Sequence, residues 1–239
     1  RYAAGMRAIT LPAMARAVIV GGGVSGCSVA YPLAKLGWKD IVLLERKQLT
    51  SGTTWHAAGL IGQLRPNQNM TRLAKYSADL YVRLEEETGL STGMKQNGSI
   101  TVALTEARKE EIYRQASLAR AFDVDVQEIS PTEAKAMYPH LNIDGVTAAV
   151  HLPLDGQCDP ANIALALAKG ARQMGATIVE GVKVTGVNQA DGAVSGVTYE
   201  RDGEPGSIDA DVVVNCGGMW ARDFAAMAGV TVPRHACEH

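Results

Sequence analysis

RAVIVGGGVSGCSVAYPLAKLGWKDIVLLER, residues 16–46, decides the fold. It opens on an apolar, β-branched run, Ala17-Val18-Ile19-Val20, and then sets Gly21, Gly23 and Gly26 in G-x-G-x-x-G spacing. A segment of helical length follows. A second apolar run, Ile41-Val42-Leu43-Leu44, ends in Glu45, 19 residues after Gly26. Each part has a task in binding a dinucleotide. Gly21 permits a tight turn out of the strand, Gly23 leaves the backbone bare for a pyrophosphate, and Gly26 lets the helix lie close to the sheet. The helix N-terminus offers N–H groups without intrahelical partners and the positive end of its dipole. Glu45 stands where a carboxylate accepts hydrogen bonds from the ribose hydroxyls. An acid there disfavours a 2′-phosphate, which leaves FAD and NAD open and sets NADP aside.

Composition bounds the rest. Of 239 residues, 46% are hydrophobic and 20% charged, and the net charge is −2, which describes an ordinary globular protein and implies no nucleic-acid or membrane-surface partner. No apolar run approaches the roughly 18 residues that span a bilayer. The cysteines, Cys27, Cys158, Cys216 and Cys237, have no C-x-x-C pairing, so neither a zinc site nor a disulfide framework is expected. Residues 1–15 carry arginines and no acid, and are expected to form a disordered leader, with a transit-peptide remnant as the alternative. The other end, Cys237-Glu238-His239, stops without a capping signal, and the expectation is a piece of something longer.

After Glu45 and Arg46 comes a loop rich in glycine, hydroxyls and small residues, with Trp55-His56 at its centre. Small residues let a backbone lie against a flat ligand, and Ser51, Thr53 and Thr54 can donate to phosphate. Helices are expected over 71–88, 105–121 and 159–174, and strands over 99–104, 146–152, 177–180 and 182–187. Ser130 and Glu133 form a capping-box pattern at a further helix start. Gly192 and Gly196 mark a hairpin. A buried strand over 208–215 runs into Gly217-Gly218 and a helix near Trp220, a second strand–glycine–helix entry. Pro32, two turns into the first helix, is a breaker at a cost of about 3 kcal/mol. The pattern predicts an α/β fold: a discontinuous Rossmann-like cofactor domain, 16–90 and 155–239, with an inserted α+β substrate lobe, 91–154, and a truncated C-terminus.

The chain resembles the dimethylglycine/sarcosine dehydrogenase family, flavoproteins of the D-amino-acid-oxidase type. VIVGGGVSGCSVAY (18–31), IVLLER (41–46), LTSGTTWHAAGL (49–60), LEEETGL (84–90), NGSI (97–100), LPLDGQCDP (152–160) and VVNCGGMWA (213–221) carry the resemblance. It implies FAD in place of NAD, and oxidative N-demethylation of a methylated glycine by hydride transfer from the N-methyl carbon to flavin N5. It also implies a C-terminal folate-binding domain beyond this chain, which would bring tetrahydrofolate into play. The electron acceptor would be oxygen or an electron-transfer flavoprotein. The location would be a bacterial cytoplasm or the mitochondrial matrix.

The resemblance also assigns residues. His56 matches the histidine that is bonded to the 8α-methyl carbon of the flavin. From the sequence alone, a lone loop histidine reads as a surface or hydrogen-bonding residue. His239, six residues after Pro233, matches an active-site histidine, and Arg65 is a candidate for the substrate carboxylate, which guanidinium binds in bidentate fashion; the alternative reading of Arg65 is a surface arginine before Pro66. Gly59, Val184 and Gly217, with Arg46, complete the cofactor set; no metal is expected. His140 and His151 read as structural. A regulatory homologue, of the kind in pyruvate dehydrogenase phosphatase, resembles the same family and shares HACEH (235–239), but lacks the Trp-His pair.

Overall fold

The valine- and isoleucine-rich runs of the sequence become neighbouring strands of one six-stranded sheet. The computed structural model describes residues 10–235. In chain order its elements are β1 (Met14–Val20), α1 (Val24–Lys35), β2 (Ile41–Glu45), β3 (Leu60–Ile61), α2 (Gln68–Thr88), β4 (Ser99–Ala103), α3 (Glu106–Ala121), β5 (Gln127–Ile129), α4 (Pro131–Met137), β6 (Ala148–Leu152), β7 (Gly156–Gln157), α5 (Pro160–Gln173), β8 (Thr177–Glu180), β9 (Val182–Ala190), β10 (Ala193–Arg201), β11 (Glu204–Asn215) and α6 (Ala221–Met227). They fall into two compact units. One holds the chain through Ala57, Glu86–Leu90 and the chain from Pro160; the other holds Ala58–Glu85 and Ser91–Asp159. The second unit therefore includes most of α2 and its approach, and runs on to Asp159, where the sequence alone had suggested 91–154.

The large sheet belongs to the first unit, in the order β8-β2-β1-β11-β10-β9. The strands β8, β2, β1 and β11 run parallel, and β10 and β9 continue the sheet antiparallel. Ala17, Val18 and Ile19 of β1 are wholly buried, as a central parallel strand with both faces covered must be. One face packs Val18, Val42, Leu44, Val179, Val197 and Ile208 into a common core. This is the α/β, Rossmann-like arrangement that the glycine motif calls for.

The details correct several expectations. β1 begins at Met14, not after a leader ending at 15: Met14 pairs with Asp209 and Ala15 with Ala210, and Ala15 is buried. Residues 1–9 lie outside the described residues. Helix α1 runs past Pro32 to Lys35, so burial of Ala30, Tyr31 and Ala34 outweighs the proline. The β9–β10 turn is Asp191-Gly192 (φ 53° and 79°), and a second Asp-Gly turn, Asp202-Gly203 (φ 55° and 84°), joins β10 to β11. Both have the paired positive φ of a type I′ hairpin. Gly196 is not in a turn. It sits at an irregularity within β10, where a Cβ would lie 2.3 Å from the Ile208 carbonyl oxygen.

In the second unit, β4-β6-β5 form an antiparallel sheet over which Ile112, Ala116 and Ala119 of α3 pack with Val150 and Leu152. The short strands β3 and β7 pair separately. The Ser130–Glu133 capping box forms as read: the Ser130 hydroxyl accepts from Glu133 N–H, and the Glu133 carboxylate accepts from Ser130 N–H.

In the first unit, α5 meets α1 through Gly170, where a Cβ would lie 2.5 Å from Tyr31 Cε2. The Tyr31 hydroxyl donates to Glu87, whose carboxylate also takes Lys35 at 2.7 Å. Burial and the bond to Glu87 push the Tyr31 phenol up, and the bond to Glu87 raises Lys35. Both groups hold their protons more tightly in the folded chain. Their contribution is complete below the unfolded values, about 10 and about 10.4, and is lost as pH rises through the folded ones. Thermal midpoints measured between pH 8 and 11 are expected to fall at the alkaline end, and Tyr31→Phe is expected to flatten that fall.

Candidate cofactor site

The glycine corner between β1 and α1 is closed by backbone. Gly21 (φ +113°) adopts a conformation open to glycine, and a Cβ there would lie 2.3 Å from the Cys216 carbonyl oxygen. A Cβ on Gly26 would lie 1.9 Å from the Gly21 carbonyl oxygen, so the helix cannot approach the strand with any larger residue. Gly22, which the motif leaves unspecified, is also crowded, though by side chains and not by backbone: a Cβ would meet Leu49 Cδ2 at 2.6 Å and Glu45 Cβ at 2.8 Å.

Glu45 ties this corner together. Its Oε2 accepts from Gly22 N–H at 2.7 Å and its Oε1 from Lys47 N–H at 2.8 Å. Each oxygen keeps a further lone pair for a ribose hydroxyl. Thr50 N–H donates to the Gly22 carbonyl at 3.0 Å, and Thr50 itself has φ +68°, a strained conformation for a β-branched residue, held by this contact.

Thr54 is buried, and its hydroxyl accepts from Val24 N–H at 3.0 Å. It therefore caps α1 from a distant loop, because the N-cap position, Gly23, has no side chain to do so. A Cβ on Gly23 would lie 2.9 Å from Thr54 Oγ1, so this glycine makes room for the hydroxyl as well. The first bond closing the helix runs from Cys27 N–H to Gly23 O, which leaves Ser25 and Gly26 N–H ahead of the intrahelical ladder.

The second glycine turn stands on the other side. Gly217 N–H donates to Asn215 Oδ1 at 3.1 Å, and Asn215 Nδ2 donates to Ala221 O at 2.8 Å, so Asn215 fixes the exit from β11. The expected helix near Trp220 is α6, which starts at Ala221 with Trp220 as its N-cap, after a 3₁₀ turn over Gly218–Trp220. The Arg46 guanidinium lies 4.0 Å from the Trp220 ring centroid. Ser51 and Thr53 are exposed in the same loop. Trp55 and His56 are exposed, with ring centroids 3.9 Å apart and planes tilted by 37°.

The corner thus brings together Gly21, Gly23, Gly26, Glu45, Thr54 and Gly217. Val184 is buried with its side chain in the sheet core, so any part it takes in a cofactor site falls to its backbone. Gly59 and Arg65 lie in the second unit. Gly59 is buried, with φ +75°, and its carbonyl accepts from Cys158 N–H. His239 lies outside the described residues. The sequence reading missed Gly22, Thr50, Asn215 and the Arg46–Trp220 stack. The run of three glycines could have flagged Gly22; the others depend on long-range contacts. Cys27, beside the corner, is pushed up to about 12 by burial and stays a thiol.

Residues 16–238 match the FAD dependent oxidoreductase family. The chain belongs to that family. It is 43% identical to human mitochondrial sarcosine dehydrogenase over 235 residues, 96% of this chain and 25% of that protein. Identity to human mitochondrial dimethylglycine dehydrogenase is 40%, covering 94% of this chain and 26% of that protein. Among solved structures, L-proline dehydrogenase from P. horikoshii superposes with a TM-score of 0.85 at 31% identity, over 92% of this chain and 57% of that one. The chain spans about a quarter of the length of the curated relatives it matches.

The residues present fit the adenosine diphosphate part of FAD. The corner has no side chain to obstruct a pyrophosphate, two first-turn N–H groups precede the helix ladder, and Glu45 has acceptor capacity at the end of β2. Among the described residues, no helix is long and apolar enough to cross a membrane. Replacing Thr54 with valine is expected to cost about 1 kcal/mol of stability through loss of the cap, read as a lower urea midpoint, with serine close to wild type.

Proposed function

We propose that this chain carries the FAD-binding part of an amine dehydrogenase or oxidase that removes an N-methyl group from a methylated glycine, sarcosine or dimethylglycine. The observation that carries the reading is the Trp55-His56 pair, set directly after Thr54, the residue that caps the helix of the dinucleotide corner. The chain is also similar to the sarcosine and dimethylglycine dehydrogenases, whose names state substrates of this class.

Bound FAD would supply an acceptor for the hydride leaving the N-methyl carbon. The chain's own residues do the rest. The first-turn N–H groups of α1 and the Glu45 carboxylate hold the adenosine end. His56 would hold the ring at its 8α-methyl carbon, an imidazole nitrogen taking the place of a hydrogen there, and Trp55, whose ring lies beside that imidazole at a 37° tilt, limits its orientations. Arg65 binds the substrate carboxylate. The product iminium yields formaldehyde or, where a folate-binding domain is joined to this part, a methylene-folate. Oxygen or an electron-transfer flavoprotein takes the electrons. A bacterial cytoplasm and a mitochondrial matrix both suit this reading. The regulatory alternative is not better supported, and the Trp55-His56 pair of this chain favours the enzyme.

Purified protein should be yellow and should bleach anaerobically with sarcosine or dimethylglycine. After acid precipitation, flavin fluorescence should stay with the washed pellet and move to the supernatant in His56→Ala. A colourless protein, or one that neither substrate bleaches, contradicts the amine-oxidising reading. Flavin released by acid from the wild type contradicts the covalent link alone.

A further inference from the structure

Two buried polar groups hold the loop that leads into α2. Thr71, in the first turn of α2, is fully buried. Its hydroxyl oxygen accepts from Arg65 N–H at 3.1 Å and lies 3.2 Å from Arg65 O and 3.0 Å from Asn67 O, which compete for its one proton. Asn67 Oδ1 accepts from Met70 N–H at 3.0 Å and starts the helix, so Thr71 is not needed as its N-cap.

Two residues upstream, Gln63 N–H donates to Asp155 Oδ1 at 2.9 Å. The other oxygen of Asp155 accepts from the Ser99 hydroxyl at 2.7 Å. Asp155 and Gln63 are 7% and 2% exposed. Alternate peptides of the segment 63–65 are thus fixed from two directions, one by a helix and one by the turn between β6 and β7.

What this fixes is the root of one side chain. Arg65 is half-buried, and its Nη1 donates to Leu64 O at 2.8 Å. Gly62 makes room beside it: a Cβ there would lie 3.2 Å from Arg65 Nη1 and 3.7 Å from Asp155 Oδ2. A guanidinium gives bidentate recognition only when its plane is aimed, and a long side chain on a loose loop loses affinity to the entropy of aiming it. Burying a hydroxyl and a carboxylate to pin two peptides of a loop is costly unless their hydrogen bonds are made, and here they are.

We propose that Thr71 and Asp155 are positioning residues for Arg65, a two-point clamp that presets its guanidinium for the carboxylate of an N-methyl amino acid. The inference rests on the amine-oxidising reading and adds to it the residues that set carboxylate affinity.

The test is calorimetric titration of the FAD-loaded chain with methoxyacetate, a carboxylate of sarcosine's size that has no amine to oxidise. Flavin content and the limiting rate of anaerobic bleaching by sarcosine are recorded alongside. Thr71→Val is expected to weaken methoxyacetate binding about tenfold while flavin content and limiting rate stay at wild-type values. Thr71→Ser, which restores the hydroxyl, should bind as the wild type does. Asp155→Asn, which keeps the shape and loses the charge, should shift affinity in the same direction as Thr71→Val and serves if that variant does not fold. Wild-type affinity in both Thr71→Val and Asp155→Asn overturns the clamp, provided Arg65→Lys weakens binding. A fall in flavin content in step with affinity, not rescued by serine, also overturns it, because the role is then structural. Unchanged binding in Arg65→Lys, or none in the wild type, overturns the clamp together with the role given to Arg65. Failure of both sarcosine and dimethylglycine to bleach the flavin overturns the amine-oxidising reading itself.

Discussion

The Glu45 carboxylate joins the ends of two strands through two backbone N–H groups, and the rest of the cofactor site depends on that junction. It accepts from Gly22 at 2.7 Å and from Lys47 at 2.8 Å. The bond to Gly22 holds the glycine turn against the end of β2, with room for no Cβ on Gly22. With the turn fixed, Gly26 can bring α1 to the Gly21 carbonyl, and the helix N-terminus faces the corner. Hydrogen bonds to a carboxylate are about twice as strong as those between neutral groups, which suits one side chain to fixing two loops. Thr54 then adds what a glycine N-cap lacks, a hydroxyl for Val24 N–H, and so attaches the loop that carries Trp55 and His56.

Much of this frame was legible in the sequence because its signals are local. The runs 17–20, 41–44 and 212–214 are β-branched or leucine-rich and lack charges, and all three became parallel strands of the large sheet, although the burial expected of the third fails: Val212 is exposed and Val213 and Val214 are half-buried. Ser130 and Glu133 are three residues apart and could be read as a capping box without knowing anything else. The failures follow the same logic. Strand β5, Gln127-Glu128-Ile129, has little apolar pattern and is held by pairing with β6. The two-residue strands β3 and β7 are too short to show a period. Gly196 drew the hairpin away from Asp202-Gly203, although the Asp-Gly pair is the stronger turn signal. The start of β1 at Met14 depends on a partner, Asp209, far along the chain.

The site was legible in its glycines and its acid, and much less so in its supports. Nothing near Arg46 announces a tryptophan, and the stack with Trp220 exists because β2 and β11 flank β1. In the second unit, the sequence offers Arg65 as one arginine before a proline. Thr71 and Asp155 acquire meaning only when the fold brings their oxygens to the peptides of Arg65 and Gln63. Local chemistry marks a candidate residue, while its orientation is set by distant partners that leave no spacing rule behind.

The most direct test of the cofactor corner is equilibrium binding of FAD to the flavin-free chain in a His56→Ala background, where no covalent link can form, with NAD as competitor, with Glu45 kept and with Glu45→Gln. The account predicts that FAD binds in preference to NAD, and that Glu45→Gln weakens FAD about tenfold while leaving the far-ultraviolet circular dichroism unchanged. Equal FAD affinity in the two proteins, or a preference for NAD, would contradict it.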